Sequence, residues 1–284
     1  MKIKFLGSGS AFVLTKENFH SNVLITLSGS IEDEHGVVSE HETNLLIDAG
    51  FHLNEMLDFY DLNTTDIKHI FLSHNHGDHN FGLEFLGFQT FFNPDATKPM
   101  LFGNTKVLKE LWEHVLKGNM GHLSNPHFGE FEEFFDITRI KPRDGFQILG
   151  TEFYPVRVPH VIDNEDEVPA FGLKWDYDGI KFFFSGDTQF DFWRLLPFWE
   201  YANVIFQDCE FAKYENGVHC QYHQLVDISE KYKKKMWLYH YMLNGKTFEV
   251  LEEEVKKDGF AGLVYRGQEF DTEILKEELK NAIS

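Results

Sequence analysis

The sequence predicts a mixed α/β (α+β) fold in which two β-sheets pack face to face and helices cover their outer sides. In each half of the chain, strand-like stretches come first and helical patterns follow. No linker rich in Pro, Gly or Ser interrupts the 284 residues, and no repeat of fixed period is present. We therefore expect a single domain over residues 1–284.

Each element is predicted from the spacing of its apolar residues. Short β-rich runs indicate strands, whereas apolar residues at helical spacing indicate helices. The predicted strands cover residues 2–6, 22–28, 43–48, 69–72, 99–102, 134–140, 151–157, 169–176, 180–184, 203–207 and 236–239. The predicted helices cover residues 52–58, 81–91, 105–117, 222–232, 247–257 and 272–282. Residues 30–43 are expected to form an acidic hairpin or loop, and residues 118–130 a flexible loop.

The composition predicts a cytoplasmic protein that does not associate with membranes. The chain has no apolar run of transmembrane length, and its N-terminus enters a strand-like stretch without a signal-peptide pattern. Its two cysteines, Cys209 and Cys220, provide no disulfide framework.

The net charge of −20 disfavours a long nucleic acid as the partner. A sequence-independent nucleic-acid binder needs a basic face to neutralise phosphates. The one basic run, Lys231 to Lys235, is interpreted as the solvated end of a helix. The charge therefore favours a small substrate.

A run of ligand-type residues follows the predicted strand 69–72, in Ser73-His74-Asn75-His76-Gly77-Asp78-His79. His74 and His76 alternate with other residues, so one extended turn can direct both at a single ion. Asp78 and His79 then face a second ion beside it. Imidazole and carboxylate donors suit Zn²⁺ first, with Mn²⁺ or Fe²⁺ as alternatives. A polar surface loop that is merely rich in His is disfavoured by four such residues at this spacing.

The run resembles the HxHxDH signature of the metallo-β-lactamase superfamily. That family adds a third His, a bridging Asp and a last His at strand ends, and this chain has His160, Asp187 and His240 in that order. The resemblance implies the four-layer αββα metallo-β-lactamase sandwich and two divalent metal ions per chain. It assigns His74, His76 and His160 to one ion, Asp78, His79 and His240 to the other, and Asp187 to both.

A second cluster resembles the paired motifs of transfer-RNA 3′-processing nucleases and related phosphodiesterases. In those enzymes a carboxylate orients a histidine, and the matching residues here are Asp208 and His219. His223 is the alternative for the histidine. The flanking Gln207, Cys209 and Cys220 depart from the nuclease strings. The candidate catalytic residues are thus Asp78, Asp208 and His219.

The pair of Asp208 and His219 favours a phosphodiester substrate. An alkoxide leaving group needs a proton, which a histidine held by a carboxylate can donate. The long Gly/Pro-rich arm with which the transfer-RNA nucleases grip RNA is not found. We therefore predict a metal-dependent phosphodiesterase that opens a 3′,5′-cyclic nucleotide to a monophosphate. The alternatives are an RNA endonuclease of the transfer-RNA 3′-processing type and a lactonase or thioesterase.

The last part of the chain runs from Val218-His219 through Met236-Trp237-Leu238-Tyr239-His240-Tyr241 to Gly259-Phe260-Ala261-Gly262-Leu263. It resembles a compact branch that includes cyclic-nucleotide phosphodiesterases, near which the phage anti-Pycsar enzymes lie. This resemblance implies a homodimer in which loops of one subunit close the site of the other, and host cytoplasm as the location if a phage encodes the chain. The loop 118–130, with His122 and His127, is the predicted closing segment. Arg266 is a candidate for holding the base or ribose, or alternatively a surface residue.

Overall fold

The computed structural model describes residues 1–32, 35–124, 127–163, 166–212 and 217–283. The strands in this part of the chain are β1 (Lys2–Phe5), β2 (Val23–Glu32), β3 (Val38–Ile47), β4 (His69–Leu72), β5 (Met100–Asn104), β6 (His122–Ser124), β7 (His127–Phe128), β8 (Asp136–Ile140), β9 (Phe146–Ile148), β10 (Thr151–Arg157), β11 (Ile162–Asp163), β12 (Asp166–Glu167), β13 (Phe171–Tyr177), β14 (Ile180–Phe184), β15 (Val204–Asp208), β16 (Met236–Tyr239), β17 (Gly262–Leu263) and β18 (Glu269–Asp271).

The α-helices are α1 (Leu53–Phe59), α2 (Gly77–Asn80), α3 (Gly82–Phe91), α4 (Thr105–Glu110), α5 (Lys117–Met120), α6 (Phe131–Phe134), α7 (Phe192–Tyr201), α8 (Tyr222–Val226), α9 (Glu230–Lys233), α10 (Phe248–Lys257) and α11 (Thr272–Ile283). A 3₁₀ turn covers Thr64–Asp66, and a π-helical segment, Leu111–Leu116, joins α4 to α5.

Two seven-stranded sheets form the centre of the fold. The first has the order β18-β1-β2-β3-β4-β5-β8, and the second has the order β17-β16-β15-β14-β13-β10-β9. Within each sheet, four consecutive strands run parallel: β3-β4-β5-β8 in the first and β14-β15-β16-β17 in the second. The central parallel strands β4, β15 and β16 are largely buried because both of their faces are covered, by the other sheet and by helices. All residues of β15, for example, are buried.

Aromatic side chains fill the space between the two sheets. The rings of Phe5 and Phe206 meet edge to face with centroids 5.0 Å apart, and Phe102 stacks on Phe146 at 4.2 Å. Such pairs contribute about 0.5–1.5 kcal/mol beyond the burial of their area. This packing explains much of the unusual Phe content, 30 residues of the chain. The architecture confirms the predicted αββα sandwich.

Helix α7 was not among the predicted helices. Pro197 lies inside it and removes a backbone donor, so the sequence pattern does not predict a helix here. The helix forms because Asp191 caps its first turn by accepting a hydrogen bond from the Arg194 amide, and because Trp199 is fully buried against the second sheet. Tertiary packing therefore overrides the local signal.

Three further segments differ from the prediction. The stretch 118–130 contains the end of α5 and the β6–β7 hairpin rather than an irregular loop, although residues 125 and 126 lie outside the described residues. The predicted helix 222–232 is split into α8 and α9. In the run from Lys231 to Lys235, Lys233 is buried and donates to the Val226 carbonyl, and Lys235 donates to the Trp199 carbonyl.

No helix within the described ranges combines the length and apolar character needed to cross a membrane.

Candidate dinuclear metal centre

Four strand ends deliver the predicted ligands to one edge of the sandwich. His74 and His76 follow β4, and Asp78 and His79 lie on α2, the short helix after it. The remaining ligands, His160, Asp187 and His240, follow β10, β14 and β16. Carboxyl ends of parallel strands meet along one edge of a sheet, where open α/β sheets place their ligand sites. The seven residues are separated by up to 166 positions, yet they converge on one centre.

The first group of ligand atoms comprises His74, His76, His160 and Asp187, whose ligand atoms all lie within 4.8 Å of one another. The Nδ1 atom of His76 is 3.0 Å from His74 Nε2 and 3.1 Å from His160 Nε2. Burial holds the pKa of His74 well below its usual range and lowers that of His160 to about 4. Both imidazoles are therefore neutral near pH 7, which is the form that binds metals.

The second group comprises Asp78, His79, Asp187 and His240, again within 4.8 Å. Asp187 Oδ2 lies 3.2 Å from His79 Nε2 and 3.4 Å from His240 Nε2. The backbone of His240 has a φ of 64°, a conformation that costs a non-glycine residue roughly 1–3 kcal/mol. The His240 amide donates to the Ser8 carbonyl at 2.8 Å, which helps to hold this conformation.

The donor set fits two divalent cations. Asp187 is 2 % exposed, it belongs to both groups, and its Oδ1 has no hydrogen-bond partner among the described residues. An unpaired buried carboxylate oxygen is costly unless a cation is placed beside it. Two imidazole nitrogens, from His74 and His160, each lie about 3 Å from His76 Nδ1 and likewise need a cation or protons between them. Imidazole and carboxylate together suit zinc, with manganese or iron as alternatives.

Asp48 is a functional residue that the sequence analysis missed. It directly follows β3 and accepts hydrogen bonds from His79 Nδ1 at 2.7 Å and from the Ser73 amide and hydroxyl at 2.8 Å each. These bonds fix the ring orientation of His79 and the start of the ligand run, as carboxylates behind metal-binding histidines do. Its position in the sequence could have revealed it. Asp48 is another carboxylate at the end of an apolar run, in Leu46-Ile47-Asp48-Ala49-Gly50.

The close approach of two chain segments at this point requires Gly50. A Cβ atom at position 50 would lie 2.0 Å from the Asp78 carbonyl oxygen. The contact brings the loop after β3 against α2, and the Ala49 amide donates to the His79 carbonyl at 2.7 Å.

Asp208 and His219 lie beside the metal centre as a hydrogen-bonded pair. His219 Nδ1 donates to Asp208 Oδ2 at 2.9 Å, and its ring centroid is 4.7 Å from that of His240. Burial disfavours the charged imidazole, but the adjacent Asp208 carboxylate outweighs it and raises the pKa of His219. Asp208 is fully buried, and the Thr188 amide donates to its Oδ2 at 2.8 Å. His219 itself lies in a bend before α8, not in a helix.

The predicted site residues His122, His127 and His223 are not among the described groups of metal-ligand candidates. His122 packs against Phe128, and His127 Nε2 is 3.0 Å from Glu133 Oε1. His223 lies on α8, in a cavity with Phe211 and Leu243.

Arg266 is engaged in holding the fold together. Its guanidinium stacks between the rings of Phe19 and Phe59, 5.0 Å from each centroid, and it donates to the Thr15 carbonyl. These contacts tie the N-terminal loop to the C-terminal part of the chain. Arg266 is half-buried, and its two predicted alternatives, a residue that holds the base or ribose and a surface residue, stay predictions.

Solved structures with the same architecture support the fold assignment. The metallo-beta-lactamase fold protein YhfI from Bacillus subtilis superimposes with a TM-score of 0.68 over 95 % of this chain and 98 % of its own, at 15 % sequence identity. The predicted metallo-β-lactamase fold is confirmed.

Sequence comparisons identify the family. The model of the family described as "Anti-Pycsar protein Apyc1" matches residues 1–270. The chain is 30 % identical over 250 residues to an anti-Pycsar protein Apyc1 of Paenibacillus harenae, covering 85 % of this chain and 90 % of that protein. It is 27 % identical to one of Bacillus phage BSP38, with coverages of 87 % and 91 %. On this evidence the chain belongs to the anti-Pycsar protein Apyc1 family.

Proposed function

We propose that this metal-dependent hydrolase opens a small phosphodiester, a 3′,5′-cyclic nucleotide, to a nucleoside monophosphate. The observation that carries the proposal is the Asp208–His219 pair beside the seven-ligand centre. An acid of this kind is useful when the leaving group is an alkoxide. A lactone or thioester has a better leaving group and needs it less.

The ligands are proposed to hold two zinc ions. His74, His76 and His160 would hold one, Asp78, His79 and His240 the other, and Asp187 would contact both. Such a pair of ions, when bound, neutralises the charge of a phosphodiester and makes a water-derived nucleophile available near neutral pH.

The chain's own acid–base group is His219. Asp208 accepts a hydrogen bond from Nδ1, so the imidazole is held in one orientation and Nε2 is the nitrogen left to exchange a proton with the substrate. We infer that His219 donates this proton to the departing 3′-oxygen. Asp208 acts through His219 as a positioning residue, and its own placement is secured by the Ser185 hydroxyl and the Thr188 amide.

The charge distribution supports a small substrate over an RNA. The net charge is −20, and Lys233 and Lys235 of the basic run donate to carbonyls inside the protein instead of forming a phosphate-binding face. The family name supports action on the nucleotides of an anti-phage system. Since phages encode some of the relatives, the proposed location of a phage-encoded copy is the host cytoplasm.

A substrate panel tests the proposal. We expect the zinc-loaded protein to convert 3′,5′-cyclic mononucleotides to monophosphates with a kcat/KM well above that for transfer-RNA precursors or lactones. Initial rates should be followed by chromatography of the products, with metal-free protein as the blank. Consumption of a precursor RNA while cyclic nucleotides remain intact would establish the nuclease alternative, and consumption of a lactone would establish the carbonyl-hydrolase alternative.

We also propose that the protein acts as a homodimer. A groove of about 630 Å³ lies between α3 and the π-helical segment, lined by Phe81, Phe85, Phe88 and Leu116. Phe128 on the neighbouring β6–β7 hairpin is 67 % exposed, and Phe81 is 56 % exposed directly after the metal-ligand run. Two copies could exchange these apolar surfaces reciprocally about a two-fold axis. The hairpin of one subunit would then lie close to the metal centre of the other.

Light scattering during size-exclusion chromatography tests the dimer. We expect a mass near 66 kDa, twice the 33.2 kDa of one chain, and a shift toward the monomer for Phe128→Glu because a carboxylate is costly in an apolar interface. The matched control is Trp193→Glu. Trp193 is 78 % exposed on α7, the helix that packs against the second sheet. A monomeric mass for the unaltered protein at micromolar concentration contradicts the proposal.

A further inference from the structure

A further cavity, of about 550 Å³, lies at the rim of the sandwich. Its walls come from the ends of β5 and β8, from β10 and β13, and from α7. We name it the basic pocket after the four cations that line it, Lys141, Arg143, Arg157 and Lys174. None of the seven metal ligands lines it, and neither does Asp208 or His219. It is therefore a site separate from the one described above.

The charge of the basic pocket opposes that of the whole chain. Its lining contains four cations and one acidic residue, Asp144, on a protein whose net charge is −20. Arg157 is bonded to Glu167, with 3.3 Å between Nε and Oε2. Lys141, Arg143 and Lys174, by contrast, have no carboxylate within 4.0 Å in the described part of the chain. These three charges are available to an anionic ligand.

The basic pocket also has an aromatic wall. Tyr154 of β10 is paired in register with Lys174 of β13 and is 37 % exposed, and Phe198 of α7 faces the same cavity. The Lys174 ammonium lies 5.7 Å from the Tyr154 ring centroid. A surface with flat rings beside cations matches a ligand that carries an aromatic base and a phosphate.

The backbone at Arg143 gives independent support. Arg143 has a φ of +74°, in the turn where the Asp144 amide donates to the Lys141 carbonyl. Glycine would adopt this conformation without strain, whereas an arginine pays for it. The turn thus places the Arg143 charge at this cavity despite the cost to the backbone.

We propose that the basic pocket binds a mononucleotide anion and that this binding does not require the metal centre. Lys141 and Arg143 take the phosphate, and Tyr154 and Phe198 take the base. The cavity volume lies within the range of roughly 300–1,000 Å³ that is typical of small-molecule sites. A long nucleic acid is disfavoured because the chain as a whole carries a net charge of −20.

Calorimetric titration with adenosine 5′-monophosphate tests the proposal. The unaltered zinc-loaded protein and the Asp187→Ala variant, whose metal centre is disabled, are titrated in parallel. We expect Asp187→Ala to retain one equivalent of bound nucleotide. Adenosine and inorganic phosphate, which each satisfy half of the pocket, should bind at least about tenfold more weakly, since a charge-assisted hydrogen bond is worth about that factor.

Variants of the pocket separate binding from folding. Arg143→Glu should weaken nucleotide binding at least about tenfold. Lys257→Glu, at the exposed end of α10, is the matched control with the same change of charge and should stay within about twofold. Arg143→Gly should also lose affinity, but it should not lower the melting temperature because the +74° φ suits glycine.

Three results would overturn the proposal. The first is loss of all nucleotide binding in Asp187→Ala while Arg143→Glu binds normally, which would place the only nucleotide site at the metal centre. The second is equal weakening by Arg143→Glu and Lys257→Glu, which would reduce the effect to overall charge. The third is a single-stranded oligonucleotide that binds through Arg143 more tightly than the mononucleotide, which would make the ligand a nucleic acid.

Discussion

Asp187→Ala is expected to abolish most metal binding and to lower hydrolysis by roughly 10³-fold or more. Asp187 Oδ2 lies within 4.0 Å of the imidazole nitrogens of His74, His79, His160 and His240, and it is the one carboxylate shared by both ligand groups. Its loss leaves two cations without their common anion, and metal-ion stabilisation of a transition state is worth several kcal/mol. Metal analysis of purified protein should fall from about two equivalents per chain to one or none.

Asp95→Ala is the control for Asp187→Ala. Asp95 is exposed in the turn before β5, so its loss should change neither the metal content nor the rate. Circular dichroism of Asp187→Ala, recorded with and without added zinc, separates a lost site from a lost fold. Full metal and full activity in a folded Asp187→Ala protein would exclude Asp187 from the centre.

His219→Ala is expected to slow the hydrolysis of cyclic nucleotides by roughly 10²–10⁴, the usual contribution of a positioned acid or base. The reason is the leaving group. A 3′-alkoxide needs a proton as it departs, and His219, held by Asp208 at 2.9 Å, is the group placed to donate it. With bis(p-nitrophenyl) phosphate the loss should be much smaller, because p-nitrophenolate leaves without a proton. The measurement is kcat for both substrates under saturating zinc.

His223→Ala is the matched control, since His223 lies four residues further along the chain and outside the described metal groups. Its kcat should equal that of the unaltered protein on both substrates. Equal losses on both substrates for His219→Ala would mean that His219 serves another purpose, such as binding metal, and metal analysis of the variant would then show it. A large loss for His223→Ala would reverse the choice between the two histidines.

The ligand positions could be predicted from the sequence because all of them lie within a few residues after the end of a largely buried strand. An apolar run that ends at a polar residue, as Ile70-Phe71-Leu72 does before His74, marks the rim of a sheet in the one-dimensional pattern. The strands covered on both faces could also be predicted, because such parallel strands are nearly continuous in apolar residues. Fold and family followed from the order of these strand ends along the chain.

Contacts between residues far apart in the chain could not be predicted from the spacing of apolar and polar residues. Asp48 binds His79 across 31 positions, and the Arg266 guanidinium reaches Thr15 across 251. Neither partner is signalled by local spacing, so the sequence analysis missed the carboxylate behind the metal ligand and did not predict that Arg266 stacks between Phe19 and Phe59. Helix α7 was missed for a related reason, since the burial of Trp199 outweighs the Pro197 signal.

The sequence by itself therefore determined the architecture, the candidate metal ligands and the family resemblance, because these depend on the periodicity of apolar residues and on the residue types at strand ends. Only the tertiary structure decided which carboxylate orients His79, that Asp208 and His219 meet at 2.9 Å, and that four cations of an acidic chain share one cavity. Each of these depends on the relative placement of elements far apart in the chain. That placement depends on how the aromatic side chains pack between the two β-sheets. This packing is a cooperative property that no short segment encodes.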